Sequence, residues 1–274
     1  MADMLCKAFS DVSLCASAAP IPFRPFTVNM ASTAAAAGSI AARVTAARAL
    51  LERPAFVDRV KYLNKPGVLE WVYAEPTFIK KLTQETEKLW GTDTIGYKTG
   101  QWTTELGENI INDILTVSGK NPHKIKTHQR AANNKRLDPD READDGLYEC
   151  KARNYGTTGT AGEKILGCPI KYCEVPRLYG KPLYIVCLGF QEIEAAKDFQ
   201  LFEPQSEELR MQLAFWKDMF SISFVRATAM IDAFVEGELQ KDKKDATDSP
   251  ITPPSPPPAR TQSVRQPATL VSSR

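Results

Sequence analysis

The first stretch with regularly spaced apolar positions runs from Ser39 to Glu52. Ile40, Val44 and Leu51 fall on one side of the chain if it turns every 3.6 residues. Pro54 follows, and proline does not continue a helix. The pattern therefore predicts an amphipathic helix that ends before this proline.

Helical spacing continues from Pro54 to Gly91, interrupted at Pro76. The apolar positions are Phe56, Val60, Leu63, Phe78, Leu82 and Leu89. We interpret them as packing stripes. Residues 39–100 are thus predicted to form a helical layer that precedes the main core.

A further helix is predicted from Trp102 to Val117, with Thr103 or Thr104 as its N-cap. Glu105 and Glu108 lie three residues apart and so share one side of this helix. The positions expected to face inward are Ile110, Ile111, Ile114 and Leu115.

Strand patterns follow this helix. The segment Leu183–Leu188 is continuously apolar, as expected for a strand buried on both faces of a mixed sheet. The other predicted strands are His123–His128, the two arms of Leu137–Arg153, and Ile222–Val225.

Helices are predicted between and after these strands. One begins near Thr160, one begins at Ser206, and one covers Met230–Leu239. From Trp102 the order is helix, three strands, helix, strand, helix, strand, helix, so the first six elements read αβββαβ. The apolar stripe of the Ser206 helix, expected to pack in the core, is Leu209, Leu213, Trp216 and Phe220.

The two arms of Leu137–Arg153 predict a β-hairpin, because Asp-Gly clusters such as the one after Asp144 supply the positive φ angles of tight turns. If Ala143 faces Gly146, the residue Asp140 lies opposite Glu149. Side chains alternate along a strand. One face would carry Asp138, Asp140, Glu149 and Lys151, and the other Tyr148, Cys150 and Ala152.

This register brings two carboxylates and an ammonium together. Neighbouring carboxylates repel each other unless a hard cation lies between them, and Mg²⁺ takes oxygen ligands from one or two carboxylates and from substrate phosphate. Asp140 and Glu149 are therefore candidate metal ligands, and Lys151 would orient or deprotonate an attacking water. A solvated acidic hairpin without chemistry is the alternative reading.

Pro139-Asp140 followed by Glu149-Cys150-Lys151 resembles the active-site signature of the PD-(D/E)xK nuclease superfamily, which includes many type II restriction endonucleases. The likeness extends over roughly Leu137 to Glu192. It implies a restriction-endonuclease-like αβββαβ core, with a central mixed β-sheet flanked by helices. It also implies Mg²⁺ as cofactor, with Mn²⁺ able to substitute.

The resemblance implies further site residues. A glutamate of the first core helix often joins the metal in this superfamily, and Leu106-Gly107-Glu108 resembles that position, so Glu108 is a third candidate ligand and catalytic residue. Gln191 and Glu192, directly after a strand, are second-rank candidates. Candidate DNA contacts implied by the same likeness are Arg153, Asn154, Lys164 and Lys171.

Charge changes the picture locally. The net charge of the 274 residues is only +2, but the segment from Gly119 to Leu137 has six Lys or Arg, two His and no acid. Such a block is a solvated basic face or a surface that contacts the nucleic-acid backbone. Its candidate DNA contacts are Lys124, Lys126, Arg130, Lys135 and Arg136.

Length and composition favour one compact domain with unstructured ends. Residues 1–38 would be a disordered leader or a targeting segment, 101–240 the nuclease core and 241–274 a disordered Pro/Ser-rich tail. Six cysteines without a Cys-x-x-Cys pair argue against structural zinc and for a reducing compartment. The Gly162–Ile165 stretch does not fit a nucleotide-binding P-loop. We expect a soluble intracellular protein, with organellar import as an open alternative.

Three functions follow as hypotheses. The first is a Mg²⁺-dependent endonuclease of restriction type that hydrolyses double-stranded DNA, with a homodimer as the economical arrangement for a palindromic site. The second is a structure-specific repair or junction-resolving nuclease. The third is a non-catalytic DNA-binding module on a nuclease fold.

Overall fold

A computed structural model describes residues 38–75, 90, 102–153 and 163–248 of the chain. The leader before residue 38, the tail after residue 248, the start of the helix near Thr160 and the side chains of Thr103 and Thr104 lie outside the described part. The same holds for Phe78, Leu82, Leu89 and Asn154. The chain divides into a unit Met1–Glu238, which contains the whole sheet, and a unit Leu239–Arg274.

The chain forms an α/β fold around an open, mixed sheet of four strands in the order β1-β2-β3-β4. Strand β1 (Arg141–Ala143) pairs antiparallel with β2 (Gly146–Arg153). Strands β3 (Leu183–Gly189) and β4 (Ile222–Arg226) continue the sheet in parallel with β2. The two inner strands therefore carry the buried centre of the sheet.

Helices surround the sheet in the described part. Before the sheet come α1 (Ile40–Leu51), α2 (Pro54–Val57), α3 (Val68–Val72) and α4 (Trp102–Val117). A 3₁₀ turn at Glu163–Ile165 then leads to α5 (Cys168–Lys171) and α6 (Val175–Tyr179). The remaining helices are α7 (Phe190–Lys197), α8 (Glu207–Phe220) and α9 (Ala227–Asp248).

The predicted hairpin register is confirmed. Ala143 lies opposite Gly146 and Arg141 lies opposite Tyr148. The reason given for the turn is wrong, since none of Asp144, Asp145 and Gly146 has a positive φ angle. The register is instead specified by packing: both faces of β2 are buried, and a shift by one residue would move the Glu149 carboxylate into the apolar core that receives Tyr148 and Cys150.

The strand predicted at His123–His128 is wrong. His123 alone pairs with the hairpin, through a reciprocal pair of backbone hydrogen bonds with Glu142 at 2.8 Å each. Strand β1 is only three residues long, so it offers no partners to the residues that follow. Ile125 instead turns into the core, while Lys124 and Lys126 are exposed. Only two strands of this region, not three, are present among the described residues.

Two apolar cores cover the two faces of the sheet. Along β2, Tyr148 and Cys150 enter a core shared with α1, α3, α4 and α9, whereas Leu147 enters a second core on the opposite face. Strand β3 contributes to both cores and is buried along its whole length, as predicted. The predicted inward residues of α4, Ile110, Ile111, Ile114 and Leu115, are all buried.

The helical residues before the sheet are joined to α4 through Asp113. Its Oδ2 accepts hydrogen bonds from the backbone N–H groups of Lys61, Tyr62 and Leu63 at 3.0, 2.6 and 3.0 Å. A buried carboxylate needs such donors, because leaving it unpaired would destabilise the folded protein by an amount on the order of 3 kcal/mol. This contact fixes the helical layer against the core helix.

Helix α8 begins as predicted, because the Ser206 Oγ accepts a hydrogen bond from the backbone N–H of Leu209. Its stripe packs at the margin of the second core: Leu213 and Phe220 pack against that core, and all four residues, Leu209, Leu213, Trp216 and Phe220, are half-buried. The reason is position, since α8 packs on β4, the edge strand, where the sheet covers it on one side only. The opposite stripe exposes Met211, Phe215 and Met219.

The chain turns sharply from β3 into α7 at Gly189. This glycine has φ +62°, and a Cβ there would lie 2.8 Å from the Arg153 carbonyl oxygen and 3.1 Å from the Trp71 ring. Gln191 and Glu192, the second-rank site candidates, therefore lie in the first turn of α7 and are buried. No described helix is long and apolar enough to cross a membrane.

Gly107 allows α4 to approach β2 closely. A Cβ at this position would lie 2.7 Å from the Ala152 Cβ and 2.9 Å from the Cys150 Sγ, both well inside van der Waals contact. The glycine therefore sets the distance between the helix that carries Glu108 and the strand that carries Glu149.

We expect Gly107→Ala to lower the free energy of unfolding by about 1–3 kcal/mol, because the added methyl overpacks the α4–β2 contact. The matched control is Gly237→Ala in α9, where a Cβ meets nothing within 4 Å. This control should instead stabilise by about 0.5–1 kcal/mol through helix propensity. Urea denaturation measures both; equal effects at the two glycines would contradict the close-approach explanation.

Candidate active site

The hairpin and β2 position three of the predicted site residues. Asp140 immediately precedes β1, and its Oδ2 accepts a hydrogen bond from the backbone N–H of Cys150 at 2.7 Å. Glu149 and Lys151 lie on either side of Cys150 in β2 and point away from the core that contains it. The structure thus brings Asp140, Glu149 and Lys151 together as predicted.

Glu149 is almost completely buried, with 4% of its surface exposed. Its Oε1 accepts hydrogen bonds from the Lys151 Nζ and from the Tyr172 hydroxyl, the latter at 2.6 Å. Its Oε2 is buried and has no hydrogen-bond partner in the described part of the chain. One oxygen of this carboxylate is therefore held by two donors, while the other has no partner among the described residues.

Asp140 experiences the charge of Glu149. Burial is the largest cause that raises the pKa of Asp140, and the negative charge of Glu149 is the next; Glu108 adds to the rise. The Cys150 N–H and the Lys151 ammonium act in the opposite direction, and the resulting pKa is about 7. The two carboxylates are consequently a repelling pair that a cation would relieve.

Lys151 carries a firm positive charge. Burial disfavours its ammonium, but the attraction of Glu149 outweighs burial and raises the pKa of Lys151 above its usual value. A protonated lysine donates hydrogen bonds and accepts no proton. Of the two roles expected for Lys151, a protonated side chain fits orientation of a water and does not fit deprotonation of that water.

Tyr172 is a member of the cluster that sequence reasoning missed. It follows α5, is buried, and its pKa is raised by burial and by the adjacent Glu149, so the phenol keeps its proton and donates. Lys171 donates from Nζ to the Tyr172 hydroxyl oxygen at 2.6 Å. No local sequence pattern predicts this contact, because Tyr172 and Glu149 lie 23 residues apart in the chain.

Glu108 lies near the pair but is held by another partner. Its Oε2 is 3.2 Å from Nη1 of Arg141, a residue with only 4% of its surface exposed. The same Nη1 donates to the Asp140 carbonyl oxygen at 2.7 Å. The described part contains no group of three or more His, Cys, Asp and Glu side chains arranged to hold a metal, so a role for Glu108 as ligand stays a prediction.

Asp138 makes its hydrogen bonds away from the pair. It accepts from Arg136 and from the Tyr179 hydroxyl at 2.8 Å, and its Oδ2 lies 2.9 Å from Nδ1 of His128. Burial on its own raises the pKa of Asp138, but these donors lower it overall. The expected fourth member of this face therefore ties the basic segment to α6 instead.

The basic candidates for DNA contact divide into two groups. Seven are exposed: Lys124, Lys126, Arg130, Lys135, Arg136, Lys164 and Lys171. Arg153 is instead turned inward, since its Nη1 is 2.5 Å from Oε2 of Glu194 and its side chain is 11% exposed. Its guanidinium is thereby committed to α7. Asn154 lies outside the described residues.

The second-rank candidates have structural partners. Glu192 accepts from the Thr228 N–H at 3.1 Å and from its hydroxyl at 2.5 Å, which joins α7 to the start of α9. Burial raises the pKa of Glu192 to about 7. Gln191 donates to Glu194 at 3.0 Å. Neither residue hydrogen-bonds to Asp140, Glu149 or Lys151.

Comparison of the chain with protein-family models, with curated proteins and with solved structures found no match.

Replacement of Asp140 by Asn should stabilise the protein in EDTA at pH 8. Because the pKa of folded Asp140 is about 7 and the unfolded value is near 4, the folded state binds more protons between these values and loses stability as pH rises. Asn removes the charge and keeps an acceptor for the Cys150 N–H. We expect Tm at pH 8 to rise by about 2–4 °C for each kcal/mol of electrostatic repulsion that the change removes.

Differential scanning fluorimetry from pH 4 to pH 8 measures this effect. The gain should shrink below pH 7 and disappear near pH 4. The exposed Asp58 supplies the control, Asp58→Asn, which should show no such trend. A gain that is independent of pH would contradict repulsion as its cause.

Proposed function

We propose that this protein is a Mg²⁺-dependent endonuclease that hydrolyses DNA phosphodiester bonds, with Asp140 and Glu149 as metal ligands. The observation that carries the proposal is the Glu149 carboxylate: one oxygen is held by Lys151 and Tyr172, and the other is buried without a partner among the described residues, beside a second carboxylate. A hard divalent cation matches this donor set, because Mg²⁺ prefers carboxylate oxygens.

The wider core supports the same proposal. A restriction-endonuclease-like core would use three parts that are found here. They are a glutamate of α4 near the two carboxylates, a hairpin that Asp140 precedes, and a buried parallel strand after the hairpin. We place the protein with that superfamily as part of the proposal, on the Pro139-Asp140 and Glu149-Cys150-Lys151 residues.

The residues of the cluster divide the chemistry between them. Bound Mg²⁺ would supply polarisation of the scissile phosphate and a lowered pKa of a bound water. Asp140 and Glu149 hold that charge in place. Lys151, as an ammonium, orients the attacking water or offsets the charge that develops on the phosphate.

In this proposal, the exposed basic side chains of the segment after α4 contact the phosphates of the DNA backbone. Lys124 and Lys126 are exposed there, and Arg136 contacts Asp138, two residues before the candidate ligand Asp140. Phosphate contacts of this kind position a nucleic acid without reading its sequence. A homodimer cutting a palindromic site is the arrangement that we propose for cleavage of both strands.

Lys151→Ala and Asp140→Ala should each abolish Mg²⁺-dependent nicking of plasmid DNA, a loss of at least about 100-fold, because each removes charge from the reacting centre. DNA affinity, measured with Ca²⁺ in place of Mg²⁺, should stay within a few fold of wild type.

The matched control is Lys181→Ala. Lys181 also pairs with a glutamate of the hairpin, at 2.8 Å from Glu142, but lies outside the cluster. It should retain cleavage. Near wild-type cleavage by Lys151→Ala or Asp140→Ala would remove that residue from the proposed mechanism.

The exposed basic segment predicts a salt effect. The double change Lys124→Ala and Lys126→Ala should weaken DNA binding and reduce the slope of log K against log salt by about 0.9 for each lost phosphate contact. The control is Lys197→Ala with Lys217→Ala, which removes the same charge from exposed positions on α7 and α8. Equal slopes for the two pairs would argue against this surface. Fluorescence anisotropy with duplex DNA measures both.

The substrate class is tested by cleavage products. Discrete fragments from plasmid DNA favour the restriction-type activity that we propose. Cleavage confined to branched or flapped DNA assigns the same site to a structure-specific repair nuclease. DNA binding without cleavage in Mg²⁺ or Mn²⁺ would instead assign the protein to the class of non-catalytic DNA-binding modules.

A further inference from the structure

Tyr172 reaches Glu149 from the second core. Its ring is buried with Leu147, Ile185 and Cys187 on that face of the sheet, and 3% of its surface is exposed. Packing therefore fixes the ring, and the hydroxyl stands 2.6 Å from the Glu149 Oε1. This hydrogen bond joins the segment after α5 to the middle of β2.

The contact distinguishes the two oxygens of Glu149. Oε1 receives both donors, the Tyr172 hydroxyl and the Lys151 ammonium, whereas Oε2 receives none from the described residues. A carboxylate held in this way at one oxygen has little freedom to rotate. Its second oxygen is presented in a fixed direction.

Lys171 sets the direction of the Tyr172 hydrogen bond. Its Nζ lies 2.6 Å from the Tyr172 hydroxyl oxygen and 4.3 Å from the centre of the ring. An ammonium only donates, so the phenol oxygen accepts from Lys171 and its single proton is committed to Glu149. The order of donation is thus Lys171 to Tyr172 to Glu149.

We infer that Tyr172 is a positioning residue for the candidate metal site: it holds one oxygen of Glu149 so that the other is presented to a divalent cation, and Lys171 orients its hydroxyl for this purpose. The inference rests on the proposed function in taking Glu149 as a metal ligand. It assigns Lys171, until now a candidate DNA contact, to the support of that ligand.

The test replaces Tyr172 by Phe, which keeps the ring and removes the hydroxyl. Calorimetric titration with Mn²⁺, without DNA, should show about 10-fold weaker binding than wild type, as is usual when a partner behind a metal ligand is lost. The Mg²⁺ concentration for half-maximal plasmid cleavage should rise by a similar factor, while the rate at saturating Mg²⁺ changes much less.

Tyr148→Phe is the matched control. Tyr148 precedes Glu149 in the chain and donates to Asp145 at 2.8 Å, but its ring lies in the other core. The control should lower Tm without changing Mn²⁺ affinity. If Tyr172→Phe also lowers only Tm and leaves Mn²⁺ affinity within twofold of wild type, the role of Tyr172 is structural and the inference is overturned.

A second pair of variants tests the role of Lys171 in Mn²⁺ binding. Lys171→Met should weaken Mn²⁺ binding in the same direction as Tyr172→Phe but by less, whereas Lys197→Met, which changes an exposed lysine of α7, should leave it unchanged. If Lys171→Met reduces DNA affinity alone, Lys171 is a phosphate contact and its assignment behind Tyr172 is overturned.

Failure of this inference and failure of the proposed nuclease give different results. Wild-type protein that cuts DNA with Mg²⁺, together with an unchanged Tyr172→Phe, overturns the inference alone. Wild-type protein that binds Mn²⁺ and is weakened by Tyr172→Phe, yet cuts no DNA, supports the positioning role and overturns the nuclease. Wild-type protein that neither binds Mn²⁺ nor cuts DNA overturns both.

Discussion

The burial of the Glu149 carboxylate beside Asp140 is the constraint to which the surrounding structure responds. Strand β2 lies between β1 and β3, so a charged side chain in its middle is removed from water and needs partners. Lys151 and Tyr172 supply them at one oxygen. Burial raises the pKa of Asp140 most, and the negative charge of Glu149 raises it further. The pair is the feature on which the proposed metal site rests.

The two faces of the sheet hold this pair by different means. On one face α4 approaches β2 at Gly107, and the buried Arg141 joins the Glu108 carboxylate to the Asp140 backbone. On the other face the buried ring of Tyr172 delivers its hydroxyl to Glu149. Apolar packing and hydrogen bonding are thus combined, since the packing fixes where the polar groups point. Precise placement of charged groups depends on such support from residues that do not themselves react.

The basic segment is attached to the site by Asp138. Arg136, His128 and Tyr179 all contact its carboxylate, which lies two residues before Asp140. The exposed lysines and the repelling carboxylates therefore belong to one continuous stretch of chain. Along this stretch the cations lie on the surface and the carboxylates are buried beneath it, and the proposed binding of DNA rests on this arrangement.

Local signals in the sequence determined the inward face of α4 and the buried strand β3. The periods of apolar positions act over a few residues, and in these elements they agree with the global packing. Long-range packing decided the rest. His123–His128 forms no strand because β1 is too short to pair with it, and Glu192 is buried because Gly189 turns the chain directly into α7. Tyr172 reaches Glu149 only because α5 folds over the second core. Contacts between residues so far apart in the chain depend on the folded geometry, which neither turn chemistry nor periodicity encodes.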